Sequence, residues 1–377
     1  MASAFLLAGE SSGDLQGALL ARQLKARRPD LQLYGVGGER MEEAGVELLF
    51  RSDELAVVGL TEVLGVLPKI LGAMERIREF LSARRPDVFI PIDFPDFNLR
   101  LLPHAWRIGV PIVYYIGPQV WAWRRGRLDY LRRYVALMIV IFPFEESLYR
   151  ERNIPVQFVG HPLVGEVPDD LDAARSEARE RLGLRPNETV IALLPGSRRS
   201  EVHRVGPVLR DAHAALSDLD CRWIVGQAKG LSLDVRSELG CVPSTPVTDG
   251  FAALLAADLA WVASGTATLE ALLLTTPSIV VYRVNRTTYE IARRVVKVPH
   301  IAMANLIAGR RLLPELIQDD ADPVALAALT REWVASPETR AEIRSGLADA
   351  RHSLGEPGAA GRAADLILER IESEPTE

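Results

Sequence analysis

The residues best suited to chemistry stand just after apolar runs. "AGESSGD", residues 8–14, follows "AFLL" and contains Gly-x-Ser-x-Gly, the pattern of a hydrolase nucleophile elbow. An elbow normally follows a central strand with much of its sheet already made, whereas Ser11 has ten residues before it. A Ser-Asp-His order can be filled on paper, for example by His161, but nothing points to it. The preferred reading is a strand-to-helix loop. Gly9 and Gly13 permit its tight turn, the hydroxyls and amides of Glu10, Ser11 and Ser12 face a cleft, and Asp14 falls where a helix N-cap belongs.

In "IPIDFPDFN", Asp93 follows the apolar run "VFIPI", so its carboxylate should emerge at the carboxyl edge of a sheet as a general base. A loop aspartate bonded to its own backbone fits the spacing equally well. Asp96 follows Pro95 and should cap a helical stretch that starts near Asn98. In "LLPGSRRSEV", Gly196 and Ser197 offer free backbone N–H groups at a helix start, and Arg198 adds a cation with phosphate-matching geometry. The lysine and spacing of a Walker A loop are absent, so the loop reads as a metal-free phosphate site. In "VASGTATLEALL", Ser264, Gly265, Thr266 and Thr268 surround a second such junction. Glu270 lies one turn into the helix, where a carboxylate reaches both hydroxyls of a ribose. A capped core helix is the plainer alternative there, and the presence of two such loops in one half favours a nucleotide.

Two stretches are ambiguous. "GPQVWAWRRGRLDYLRRY" is either a solvated basic helix with tryptophan anchors or an interface for anionic, amphipathic material. "LAVVGLTEVLGVLPKILGAM" ordinarily means core, but in a lipid-handling protein it is a surface for acyl chains. The glycines of "GVGGERM" lack dinucleotide-binding spacing and are set aside.

Elements must position these residues. "SAFLLAG", "LQLYGVGG", "DVFIPIDFPD", "VPIVYYIGP" and "ALMIVIFPF" are continuous apolar runs, as in a parallel sheet covered on both faces. Helical stretches separate most of them. In "DLQGALLARQLKARRPD" the leucines 15, 19, 20 and 24 share a face. The rhythm restarts at "ETVIALLPGS" and continues through "CRWIVGQ", "DLAWVASGT" and "PSIVVYR". The fold is therefore α/β, with two doubly wound Rossmann-like domains facing across a cleft. The Pro-flanked, charge-rich segment after His161 marks the boundary, giving domains 1–165 and 166–349. A C-terminal helix within about 350–377 is expected to pack back on the first.

The 377 residues carry 44 basic and 50 acidic side chains, a net charge of −6, which excludes a generic nucleic-acid binder. Two cysteines without metal-ligand spacing suggest a reducing compartment. The N-terminal apolar run is too short and too poorly flanked for a signal peptide, and the run at 251–282 is interrupted by Asp258, Glu270 and Pro277. A cytoplasmic location follows as the expectation.

Taken together, "GESSGD", "DELAVVGLTEVLG", "RPDVFIPIDFPDFN", "GPQVWAWRRGR", "FPFE", "FVGHPL", "LLPGSRRSEV", "ASGTATLEA" and "MANLIAGRRLLPELIQ" resemble the lipid-A-disaccharide synthases, in order along nearly the whole chain. The resemblance implies an inverting glycosyltransferase of the two-Rossmann-domain (GT-B) type. It implies a UDP-2,3-diacylglucosamine donor, a 2,3-diacylglucosamine 1-phosphate acceptor, and a β-1,6-linked disaccharide 1-phosphate with UDP as products. It makes Asp93 and Arg198 the essential pair. UDP is put on Gly196, Ser197, Arg198, Ser264, Gly265, Thr266, Thr268 and Glu270, with Asn305 and Gln318 as further donor contacts. The acceptor side becomes Glu10, Ser11, Ser12, Asp14, Asp96, Asn98, Trp121, Trp123 and Arg124. No cofactor and no metal is implied, and attachment to the anionic inner-membrane surface is expected to be peripheral, with a homo-oligomer left open. The rivals are a UDP-sugar 2-epimerase of the same architecture and a non-catalytic nucleotide-lipid binding module, which would not need Asp93.

Overall fold

The computed structural model describes residues 1–54, 63–122, 126–228, 230–231, 233–241, 245–296 and 298–373, with the backbone alone for 63–67. The chain divides into two compact units, Met1–Gly165 with Leu354–Glu377, and Glu166–Ser353.

The first unit is built on seven parallel strands: β1 (Ser3–Ala8), β2 (Gln32–Gly37), β3 (Glu47–Arg51), β4 (Val88–Ile92), β5 (Val113–Tyr115), β6 (Leu137–Val140) and β7 (Val156–Phe158), in the order β3-β2-β1-β4-β5-β6-β7. Ala4–Ala8 of β1 and all of β4 are buried, because helices cover both faces of the sheet. The strand order reverses between β1 and β4, so the loops leaving these two strands diverge and open a crevice at their carboxyl ends. Pairing of Ala8 with Ile92 makes the two strands end level, which sets Gly9 beside Asp93.

The helix Ser11–Arg27 approaches the sheet through small residues. Gly13, Gly17, Ala18 and Ala21 are buried along with Leu20 and Leu24, while Leu15 and Leu19 are only half-buried. A Cβ on Gly17 would stand 2.5 Å from Met41 Sδ, so a four-leucine face gives way to one that glycine lets in closely. The helix Ala359–Glu372 packs on it through Ala363, Ala364 and Ile367, with Arg27 paired to Asp365. Residues 350–352 instead end the preceding helix, Pro337–His352, in the second unit.

The apolar stretch 55–74 falls partly outside the described residues. Its described part opens the helix Val63–Arg84, which buries Met74, Ile77 and Leu81 and leaves Leu71 51% exposed. No helix among the described residues is long and apolar enough to cross a membrane.

The second unit carries β8 (Thr189–Leu194), β9 (Cys221–Gly226), β10 (Val247–Thr248), β11 (Leu259–Ala263), β12 (Ser278–Tyr282) and β13 (Glu315–Ile317). They lie parallel in the order β10-β9-β8-β11-β12-β13, with the reversal between β8 and β11. The loops "PGSRR" and "SGTAT" leave these two strands. Each unit thus presents its polar sequence motifs at its own switch point.

Candidate active site

At the tip of β4, Asp93 and Phe94 both adopt left-handed backbone, with φ of 46° and 47°. Non-glycine residues in such conformations cost on the order of 1–3 kcal/mol each, so the surroundings must impose them. Asp93 N–H donates to the carbonyl of Ile116 at 3.1 Å. The Asp93 carbonyl accepts from Asn98 Nδ2 at 2.7 Å and Tyr114 Oη at 2.9 Å. The turn lays the Phe94 ring against Gly9, where a Cβ would stand 2.2 Å from the ring. The glycine of "GESSGD" and the aromatic of "DFPDF" therefore require each other. Asn98 is fully buried and clamps this backbone rather than facing the cavity.

The Asp93 carboxyl is half-buried, and its pKa is raised, first by burial and then by the negative charge of Glu10, against a lowering hydrogen bond from the Phe94 backbone. A base that holds its proton more tightly is better matched to proton abstraction near neutral pH. A cavity of about 900 Å³ opens at this turn, lined by its neighbour Phe94 and by Glu10, Ser11, Asp14, Asp96 and Arg100 among others, though not by Asp93 itself.

Two expectations on this side are corrected. Asp14 does not cap its own helix, which begins at Ser11. Its buried carboxylate accepts from the N–H groups of Gly38 (2.7 Å), Met41 (3.1 Å) and Arg40 (3.3 Å), capping the short helix Glu39–Glu43. That explains the last glycine of "GVGGERM", since a Cβ on Gly38 would meet Asp14 Oδ2 at 2.7 Å. Asp96 does not cap the helix Pro95–Asn98 but pairs with Arg127. Glu10, Ser11 and Ser12 are exposed at the start of their helix. His161 does not serve Ser11: it is buried, accepts from Leu163 N–H at 3.2 Å, and has its pKa pushed down to about 4 by burial. Trp123 and Arg124 lie outside the described residues.

Glu145 was singled out by no residue-level reading, only as the end of "FPFE". It is 3% exposed, and its Oε2 accepts from Phe142 N–H at 3.2 Å at the start of the helix Pro143–Arg150. Burial pushes its pKa up to about 8. The Phe142 and Ile141 backbone and the Trp121 indole oppose that rise, and the charge of Asp93 adds to it. The half-buried Trp121 packs edge-on to Phe144 at 5.2 Å, and its N–H is close enough to favour the Glu145 carboxylate without forming a hydrogen bond of good geometry. No local motif marks a buried carboxylic acid, so only its place after an apolar strand could have drawn attention to it.

In the second unit the loop after β8 is partly occupied by its own chain. Glu201 Oε2 accepts from the N–H groups of Ser197 (2.9 Å) and Arg198 (3.2 Å), as the return arm of a capping box on the helix Arg199–Ala214. Of the two N–H groups expected to be free, that of Ser197 is therefore taken, together with that of Arg198. Gly196 has a φ of 126°, which only glycine adopts readily, and Arg198 is exposed, with its guanidinium 3.6 Å from Glu201. The loop after β11 differs. Gly265 caps the helix Thr266–Leu273 with no side-chain hydrogen bond, at a φ of 151°. Ser264 Oγ donates to the Ile301 carbonyl at 3.4 Å, and Thr266 is exposed. Glu270 is half-buried beside Gly250, and its pKa is raised by burial and then by Asp249 and Glu166.

Two of the expected donor contacts, Thr268 and Asn305, are instead committed as supports, and a third, Gln318, is partly so. Thr268 is buried; its hydroxyl donates to the Gly265 carbonyl and accepts from Met303 N–H, tying two helices together. Asn305 is fully buried and uses both ends of its amide four times, on the backbone of Leu312 and Leu313 and on Glu315, which leaves nothing for a ligand. Gln318 exchanges two hydrogen bonds with the Val284 backbone, at 2.7 and 3.0 Å, closing the turn after β12.

Two doubly wound parallel sheets with polar loops at both switch points define the GT-B class, and solved structures agree. A calicheamicin glycosyltransferase, CalG4, matches with a TM-score of 0.62 at 18% identity, covering 98% of each chain. A putative UDP-N-acetylglucosamine 2-epimerase from Listeria monocytogenes matches as well, with a TM-score of 0.61 at 13% identity over 98% of this chain and 95% of that one. Shape alone thus leaves transferase and epimerase undivided. Sequence divides them. The family model described as lipid-A-disaccharide synthetase matches residues 4–366. The lipid-A-disaccharide synthase of Myxococcus xanthus is 44% identical over 373 residues, and that of Pseudomonas aeruginosa PAO1 is 42% identical over 374, each covering 97% of both chains. The chain belongs to the lipid-A-disaccharide synthase family and is a glycosyltransferase that forms the lipid A disaccharide.

Proposed function

We propose that the first unit takes 2,3-diacylglucosamine 1-phosphate as acceptor and the second takes UDP-2,3-diacylglucosamine as donor. Asp93 removes the proton from the acceptor's 6-hydroxyl as that oxygen attacks the anomeric carbon. The bond from that carbon to the UDP oxygen breaks, and attack from the opposite face turns an α-linked donor into a β-1,6-linked product. The observation that carries this reading is the Asp93 carboxyl at the tip of β4, its backbone clamped by Asn98 and Tyr114 and its pKa raised. Arg198, with the Gly196–Ser197 and Ser264–Gly265–Thr266 loops, receives the departing diphosphate, and Glu270 holds the ribose. Fixed donors of this kind stabilise a developing anion without a metal. Incubating the protein with both substrates and seeking the disaccharide 1-phosphate and UDP by mass spectrometry tests the reading. Absence of both products overturns it.

Substrates with two acyl chains each reside in a bilayer, so the same reading includes peripheral attachment to an anionic membrane surface from the cytoplasmic side. Exposed Leu71, at 51%, and exposed Arg132 and Arg133 support it. Each basic residue near such a surface contributes about 1 kcal/mol, screened within roughly 8–10 Å by physiological salt. Anionic vesicles should therefore carry the protein upward in a flotation gradient at low salt and less so at high salt. Protein that stays at the bottom in both rules the attachment out.

A further inference from the structure

The cavity at the Asp93–Phe94 turn does not treat all parts of an acceptor alike. Its larger chamber, about 900 Å³, has an apolar wall of Ile70, Met74 and Phe97. Its charged lining is predominantly acidic: Glu10, Asp14, Glu39, Asp53 and Asp96 against Arg40, Arg51 and Arg100. Arg51 is moreover engaged by Glu42. Carboxylates suit sugar hydroxyls, which donate, and an apolar wall suits an acyl chain. A phosphate dianion placed among them would be repelled.

A smaller chamber of about 470 Å³ adjoins it, sharing Asp96 and Arg100, and reverses the sign. Its charged lining is Arg100, Arg127 and Asp96. Asp96 pairs with Arg127, whose side chain is 20% exposed, and so orients that guanidinium. Arg100 is exposed and has no ion-pair partner among the described residues. The remaining walls are Pro95, Leu99, Gly126 and Tyr130, and the Tyr130 hydroxyl is committed to the Leu99 carbonyl at 2.9 Å. Two guanidinium groups against one carboxylate leave a net positive chamber. Guanidinium forks match phosphate oxygens two at a time.

We infer that Arg100 and Arg127 form the phosphate subsite for the acceptor, a sugar monophosphate whose hydroxyls and acyl chains occupy the adjoining acidic and apolar chamber. This deepens the acceptor assignment made above and rests on it. The same chemistry would also hold a phosphate headgroup of the bilayer, so the test separates the two sources.

Binding of 2,3-diacylglucosamine 1-phosphate and of its dephosphorylated counterpart is measured by calorimetry in a non-ionic detergent free of anionic lipid. The wild-type protein is compared with Arg100→Ala, Arg127→Ala and the charge-conserving Arg100→Lys. Loss of a charge-assisted contact should weaken binding of the phosphorylated acceptor about 10- to 100-fold in each alanine variant. The lysine variant should fall in between, and the penalty should be confined to the phosphorylated acceptor. Equal weakening of both acceptors, or none, overturns the subsite. So does an unchanged affinity for the phosphorylated acceptor alongside lost flotation with anionic vesicles, because the arginines would then serve headgroups. Because the readout is binding, a wild-type protein that binds the phosphorylated acceptor selectively but makes no disaccharide overturns the proposed function and leaves the subsite standing.

Discussion

After β4 the chain turns through two left-handed non-glycine residues into a half-buried carboxylate whose backbone is clamped from two sides. After β8 it turns through one left-handed glycine into an exposed arginine whose neighbouring N–H groups are held by Glu201. Both turns sit at the switch point of a parallel sheet, so topology does not distinguish them. The chemistry we propose for each does. A base gains strength from desolvation and from a fixed aim, and strain stored in its turn is tolerable where Tyr114 and Asn98 hold it. A cation that meets a departing diphosphate gains nothing from being buried alone, because an unpaired buried charge is expensive. On that proposal the exposure of Arg198, with a carboxylate for company, is what its role requires.

The sharpest way to break this contrast is to remove the proposed base. Asp93→Ala should cut turnover by about 100- to 10,000-fold. UDP affinity should stay close to wild type, since the proposed donor loops belong to the second unit. Steady-state turnover and UDP calorimetry on the same preparation check it. An active Asp93→Ala beside an inactive Asp96→Ala would transfer the role to Asp96. Arg198→Ala comes next, at about 100- to 1,000-fold in kcat. Loss of wild-type activity in EDTA that Mg²⁺ restores would contradict a metal-free stabilisation of the leaving group.

What could be read beforehand follows from burial. β1, β2, β4, β5, β6, β8, β9, β11 and β12 all correspond to continuous apolar runs. The strands that no run announced, β3, β7, β10 and β13, are the four sheet edges. An edge strand is half-covered and short, as in "VQF" and "VT", and carries no pattern long enough to separate from loop. The site divides in the same way. The places of Asp93 and of the loop carrying Gly196 and Arg198 were legible because each follows a continuous apolar run, whereas the role of Asp93 was not, since a loop aspartate fits the same spacing. Asn305 and Thr268 look identical in sequence to ligand contacts, and only their burial and the hydrogen bonds that consume the amide and the hydroxyl show them to be supports. Glu145 was illegible for the opposite reason: its character comes from burial by residues distant in sequence.

Glu145 extends the contrast to pH. Its folded pKa, about 8, stands above the ordinary 4.5, so between these values the folded state holds a proton that the unfolded state has released. Stability must then fall as pH rises through that window, by up to about 1.4 kcal/mol per pH unit, and level off above it. Glu145→Gln keeps an acceptor for Phe142 N–H and cannot ionise. The difference in stability between wild type and this variant, taken by denaturant titration from pH 5 to 9, should grow with pH in the variant's favour. A difference independent of pH would mean that the carboxyl is already ionised.

The smallest effect concerns Glu201, and it tests whether the second turn is held ready or held shut. Its carboxylate bonds the N–H groups of Ser197 and Arg198 and lies 3.6 Å from the Arg198 guanidinium. It supports the helix as a capping arm, yet it places negative charge where a diphosphate would come. Glu201→Gln retains an oxygen for the N–H groups and removes the charge. The cap should survive at a cost within about 0.5–2 kcal/mol. Relief of like-charge repulsion at a partly exposed site contributes on the order of 1 kcal/mol, so UDP should bind several-fold more tightly. That gain should shrink as salt is raised, because the repulsion it removes is screened. Calorimetric titration of UDP into both proteins at low and high salt decides the matter. Weaker binding in Glu201→Gln would show that the carboxylate holds the loop in its binding shape. The exposed arginine would then owe its position to the same residue that opposes its ligand.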